Sequence, residues 1–152
     1  MNKAVLLTFA LAMPAAALAA PPNACEILTA EDINPIAVSK VDRVQVQKAG
    51  NPSQCAWLDG RKAAVLVVSI REVQYAVKDE LHEEKSQIEK IYKTRTKQID
   101  TVGEGGYWSP ADKQLGFRKG QLIVKVTFSI TEYQSEIDTA QIARIVDSRI
   151  PK

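Results

Sequence analysis

The chain has 152 residues, with 20 Lys+Arg against 18 Asp+Glu for a formal net charge of +2, 45% hydrophobic residues, one histidine and two cysteines. That balance excludes a strongly basic nucleic-acid binder and a disordered or collagen-like chain. One His and two Cys leave little material for a metal site. One domain is the expectation at this length, and no cofactor is implied.

Met1-Asn2-Lys3 is a short positive start, followed by uncharged residues rich in Ala and Leu as far as Ala20. Ala17-Leu18-Ala19 has the small-x-small pattern that signal peptidase reads. A signal peptide over residues 1–19 is therefore expected, with Ala20 as the second choice of cleavage point. The rival is an uncleaved anchor, which needs roughly 20 clearly apolar residues; this stretch reaches that length only if Pro14 and every alanine are counted. Cys25 lies near the cleavage point, but Pro22-Asn23-Ala24 before it is not a lipid-attachment box. The expected exported domain, residues 20–152, has 133 residues, and the loss of Lys3 lowers its net charge to +1. It holds no further stretch suited to stable membrane insertion, and the expected location is the bacterial periplasm or the exterior.

Export gives Cys25 and Cys55 a shared meaning, because an oxidising compartment favours their pairing. The bridge would close a loop of about 30 residues, worth roughly 3–4 kcal/mol in the chain-entropy account. The rival is two buried thiols. A redox-active pair lacks the Cys-x-x-Cys spacing that lowers a thiol pKa.

Thr29 and Asp32 predict a capping box opening a short helix, limited by Pro35. Val41 to Gln47 suits a strand. Gln54–Leu58 and Lys62–Val73 read as two strands joined by a two-residue Asp59-Gly60 turn with positive φ at both positions. Residues 75–93 predict a helix with Val77, Leu81, Ile88, Ile91 and Tyr92 on one stripe. Its acidic first half and Lys90 and Lys93 near its end complement the helix dipole. Thr96 to Val102 suits a short strand, followed by Gly103-Glu104-Gly105-Gly106-Tyr107-Trp108 and a Ser109-Pro110-Ala111-Asp112 turn. Gln114–Arg118 and Gln121–Ile130 form a second predicted hairpin around Lys119-Gly120. Its second strand alternates, with Leu122, Val124, Val126, Phe128 and Ile130 toward one dry face. Ser135-x-x-Asp138 caps a last helix with Ile142, Val146 and Ile150 inward.

The two hairpins align without gaps at an offset of 60 residues, with six identities among the 21 pairs from residue 54 to 74. An internal duplication would account for this; shared turn chemistry and β-patterning also produce such matches. The predicted fold class is α+β, in the order α-βββ-α-βββ-α, a largely antiparallel sheet with helices packed on one face.

Cys25-Glu26-Ile27-Leu28-Thr29-Ala30-Glu31-Asp32, Cys55-Ala56-Trp57, residues 103–108 and Arg118-Lys119-Gly120 together resemble a group of small secreted bacterial domains of unknown function. That group has a Cys-x-Leu-Leu-Thr start and a Gly-Asp-x-Ala-Tyr-Trp segment. Ile27, Glu104 and Gly106 depart from its pattern. The resemblance implies an exported, disulfide-bonded α+β module and carries over no catalytic residue.

Signatures of chemistry are sparse. His82, the lone histidine, sits on the acidic helix and reads as a surface residue. There is no Gly-x-Ser-x-Gly and no Walker loop, and Gly103-x-Gly105-Gly106 leads into Tyr107-Trp108-Ser109-Pro110 rather than a helix N-terminus. Glu72 and Glu132 end equivalent strands, but nothing brings them together as a glycosidase pair. Tyr107 and Trp108, with Glu104, Arg118 and Lys119 nearby, are the candidate binding surface, since aromatics beside glycines present a rigid patch. For Trp108 taken alone, a plug at one end of the core is the favoured reading and the surface its rival. The expectation is a non-enzymatic module that binds a protein or cell-envelope component. The alternative is an inhibitor or immunity protein against a cell-wall-targeting enzyme, with Gly103 to Lys113 as a protruding loop.

Overall fold

The computed structural model describes residues 20–129 and 134–151. The expected signal peptide, Ile130 at the end of the last predicted strand, and Glu132 lie outside them. A single 3₁₀ turn at Ala24–Glu26 and a four-residue helix α1 (Ala30–Ile33) precede three strands, β1 (Val41–Lys48), β2 (Ser53–Asp59) and β3 (Ala64–Glu72). Helix α2 (Val77–Tyr92) follows, then β4 (Lys97–Ile99), β5 (Gly106–Ser109), β6 (Gln114–Lys119), β7 (Leu122–Phe128) and helix α3 (Glu136–Arg149). The seven strands form one sheet in the order β1-β2-β3-β7-β6-β5-β4, and every neighbouring pair is antiparallel.

The α+β class holds, with one strand more than expected in the second half. Gly106–Ser109 is the addition, paired with β4 on one side and β6 on the other. Two glycines let it lie there. A Cβ on Gly106 would come within 2.2 Å of the Gly116 carbonyl oxygen, and a Cβ on Gly116 within 2.7 Å of the Tyr107 ring. Tyr107 and Gly116 are cross-strand partners, so the ring occupies the space where a side chain would stand.

Side chains alternate across a strand, and the two faces of this sheet differ in character. On the dry face, Leu66, Val68 and Ile70 of β3 and Val124, Val126 and Phe128 of β7 are fully buried. Helix α3 covers them with Ile142, Ala143 and Val146, with Ile150 at its C-cap, joined by Ala24, Leu28 and Ile33 from the N-terminal segment that holds the 3₁₀ turn and α1. A fully buried residue of this size contributes roughly 1.5–3 kcal/mol. On the other face, Arg71 of β3 and Lys125 of β7 reach Glu80 and Glu84 of α2. The expected packing of all helices on one face is therefore corrected: α2 lies opposite α1 and α3. The expected apolar stripe of α2 is corrected with it. Val77, Leu81 and Ile88 are only partly covered, while Ile91 is 71% and Tyr92 47% exposed. Ion pairs to a polar sheet face orient this helix, so burial of its apolar stripe does not.

Cys25 and Cys55 form the disulfide, tying the N-terminal turn to β2. Nearby, the Ala24 amide donates to the Ser53 hydroxyl at 2.9 Å, and Trp57, two residues beyond Cys55, is fully buried. The Thr29–Asp32 capping box forms as predicted. The Asp59-Gly60 turn does not. The β2–β3 link spans residues 60–63, positive φ falls on Lys62, and the Asp59 carboxylate accepts from the Arg61 and Ala63 amides. An aspartate that bonds its own backbone two residues on sets such a turn itself.

The strands beside the β3–β7 seam mirror each other, β1-β2-β3 against β5-β6-β7. The gapless 60-residue correspondence stops there: four residues link β2 to β3 and two link β6 to β7, and the helices that follow lie on opposite faces.

Candidate functional site

The site begins with the charge pattern of α2. Arg71 donates to Glu84 at 2.7 Å and to Glu80 at 3.2 Å, and Lys125 stands 3.5 Å from Glu84. Burial alone opposes the Arg71 charge, but the two glutamates outweigh it and raise its pKa. Farther along, Glu89 accepts from the Thr96 hydroxyl and amide, which lowers its pKa and joins the end of α2 to the residue that precedes β4. These carboxylates are spent on holding α2 against the sheet and its following loop. Lys78, His82 and Lys85 follow the i, i+4, i+7 spacing that lines up on one helical stripe.

That stripe faces an open cleft of about 360 Å³. Its helical wall is Lys78, Leu81, His82 and Lys85; its sheet wall is Gln98, Glu104, Gly105, Gly106, Tyr107 and Arg118. Glu104 organises the second wall. Its carboxylate accepts from Arg118 Nη1 at 2.7 Å and from the Gly120 amide at 3.1 Å. Its own amide donates to the Arg118 carbonyl. Tyr107 is buried beneath, its hydroxyl accepting from the Gln114 amide at 2.9 Å. Burial, reinforced by the charge of Glu84, pushes that hydroxyl above the usual tyrosine range, and the bond from Gln114 partly opposes the rise.

No protein-family model matches the chain, and no curated protein matches its sequence.

Of the five candidate surface residues, Glu104, Tyr107 and Arg118 meet in this cleft. Trp108 and Lys119 do not. Each is the sequence neighbour of a cleft residue on a strand and so points to the opposite face. Trp108 is 5% exposed within the core. The Lys119 ammonium bonds the Asp147 carbonyl and lies 3.1 Å from its carboxylate, a placement near the C-terminus of α3 that suits a cation. The expected protruding loop is also corrected. Between Gly103 and Lys113 the chain supplies strand β5, whose four residues are all buried.

Sequence reading missed the helical wall. The basic stripe on α2 was legible as a spacing, but its acidic neighbours dominated the composition of that helix. Gln98 carried no signal. His82 is exposed, and neither serine nor cysteine lines its cleft. Among the described residues, no group of three or more His, Cys, Asp or Glu gathers in metal-binding geometry, and no helix is long and apolar enough to cross a membrane.

Proposed function

We propose that this chain is an exported, non-enzymatic bacterial module that binds a protein or cell-envelope component through the α2 cleft. The observation that carries the reading is the convergence of Glu104, Tyr107 and Arg118 with Lys78, His82 and Lys85 around one open space. The Cys25–Cys55 bridge is compatible with an oxidising compartment, and residues 1–19 have the form of a cleavable export signal. The resemblance of residues 25–130 to small secreted domains supports the same location. The inhibitor reading loses its insertion loop to β5, so the cleft is the better contact surface.

Photo-crosslinking in cells tests this. A photoreactive residue at Gln98, exposed on the sheet wall, is expected to give a discrete adduct, and the same residue at Gln141, exposed on α3, is not. Equal background at both positions overturns the reading. So does substrate turnover by the purified protein that His82→Ala abolishes.

A further inference from the structure

We propose that the α2 cleft takes a phosphate-bearing ligand, an inference that rests on the cleft being the binding surface described above. The first support is how charge is partitioned around α2. Glu80 and Glu84 face Arg71 and Lys125, and Glu89 is taken up by Thr96. Among the described residues, no carboxylate comes within 4.0 Å of the Lys78 or Lys85 ammonium. Glu80 and Glu84 are thus turned to the sheet, and Lys78 and Lys85 stand at the cleft.

The second support is the sheet wall. Arg118 stands there with its side chain 20% exposed, held by the carboxylate of Glu104. Glu104 is the one acidic residue of the lining, against the three permanent cations Lys78, Lys85 and Arg118, a surplus of two positive charges. Like charges gathered in one cleft repel, and an anion relieves that repulsion.

The form of the charge selects the anion. A single carboxylate brings one negative charge, half of the surplus, and Arg118 engages Glu104 through Nη1. A phosphate group carries roughly −1.5 to −2 and three acceptor oxygens. It matches the surplus and offers oxygens to lysines on the helical wall and to Arg118 on the facing wall together. The volume, about 360 Å³, is at the small end for ligand pockets and suits a phosphate on a short polar or partly apolar stem, with Leu81 as the apolar contact. Such a group exists on free metabolites and on the headgroups of anionic lipids. The chemistry of recognition is the same for both.

The test uses the exported protein with its disulfide intact. Backbone amide NMR is followed during titration with inorganic phosphate and with glycerol 3-phosphate, up to about 20 mM. In parallel, co-sedimentation is measured with phosphatidylglycerol-containing vesicles and with phosphatidylcholine vesicles. Shifts clustered on Lys78, His82, Lys85, Gln98 and Arg118 support the proposal and point to a free ligand. Retention on the anionic vesicles alone, lost in the cleft variant, supports it and points to a headgroup. Lys78→Gln with Lys85→Gln should weaken binding by about tenfold or more. Lys48→Gln with Lys90→Gln removes the same charge from exposed sites outside the cleft and should leave binding within about twofold. Equal weakening by the two pairs, or no shift and no retention, overturns the proposal. A Gln98 crosslink with flat titrations rejects the phosphate inference alone, whereas failure of both rejects the binding cleft as well.

Discussion

Helices α2 and α3 follow the two central strands of the same sheet and are of similar length, 16 and 14 residues, but they are held in different ways. Helix α3 starts at a Ser135–Asp138 capping box and buries Thr139, Ala140, Ile142, Ala143 and Val146. Helix α2 has no buried residue and no side-chain cap, and it is bounded at both ends by non-glycine residues of positive φ, Ala76 and Lys93. One is fixed by removing apolar surface from water, the other by ion pairs across a polar face. The difference teaches where function can be sited. A helix buried against a dry face has little polar surface left between itself and the strands, whereas one held by ion pairs leaves room for a solvent-filled, charged cleft at its side.

The largest expected break in this contrast comes from truncating one apolar residue on each helix. Ile142→Ala should cost about 2–5 kcal/mol, because a fully buried isoleucine leaves a cavity. Leu81→Ala, on a half-buried site, should cost under about 1 kcal/mol. Denaturant unfolding of the two variants measures both, and equal losses would contradict the picture of two attachments.

The helix ends give the next effect. Ser135→Ala should cost about 1 kcal/mol, since the hydroxyl and the Asp138 carboxylate satisfy each other's ends of the cap. At the other helix the sign reverses. Lys93→Gly should stabilise by a few tenths to about 1 kcal/mol, because glycine carries no Cβ penalty at φ 51°. Thermal unfolding reads both variants.

Smaller still are the charge effects. Arg71→Gln should lower global stability by at most about 1 kcal/mol, since Arg71 and its partners are partly exposed. It should nevertheless speed amide hydrogen exchange across α2 while leaving α3 unchanged. Raising the salt concentration should act in the same direction on α2, by screening.

Of the three ion pairs that α3 residues make among the described residues, Arg149 with Asp32 sharpens the comparison by pH. Arg149 bonds the Asp32 carboxylate at 2.6 and 2.8 Å, and this bond, against the cost of burial, lowers the Asp32 pKa from 3.8 to about 2. The folded-state carboxyl thus titrates below the unfolded one. Its contribution is complete above about pH 4 and is lost as pH falls toward 2. Asp32→Asn should flatten that part of the stability profile between pH 4 and 2, measured by chemical unfolding at each pH.

Much of the fold was legible in the residues. The alternation of Leu122, Val124, Val126 and Phe128 announced both a strand and the dry face beneath it, and Ser135-x-x-Asp138 announced the start of α3. These signals are local, and burial reinforces them. The site was legible only in part. Glu104, Tyr107 and Arg118 were singled out for lying in a glycine-rich, aromatic segment and a basic turn, and they do meet. Trp108 and Lys119 were grouped with them by adjacency in the chain, which on a strand means opposite faces.

By itself the sequence determined six of the seven strands, the two long helices, the two capping boxes and Cys25 with Cys55 as the favoured pair, because periodicity, capping chemistry and cysteine count act over short spans or through a single partner. Tertiary structure decided three further things: that Gly106–Ser109 is a strand, that α2 crosses to the polar face, and that Lys78, His82 and Lys85 stand opposite Arg118. These depend on which sheet face receives which helix. That choice is made by contacts between residues far apart in the chain, Arg71 with Glu84 and Tyr107 with Gly116 among them, which no local pattern encodes.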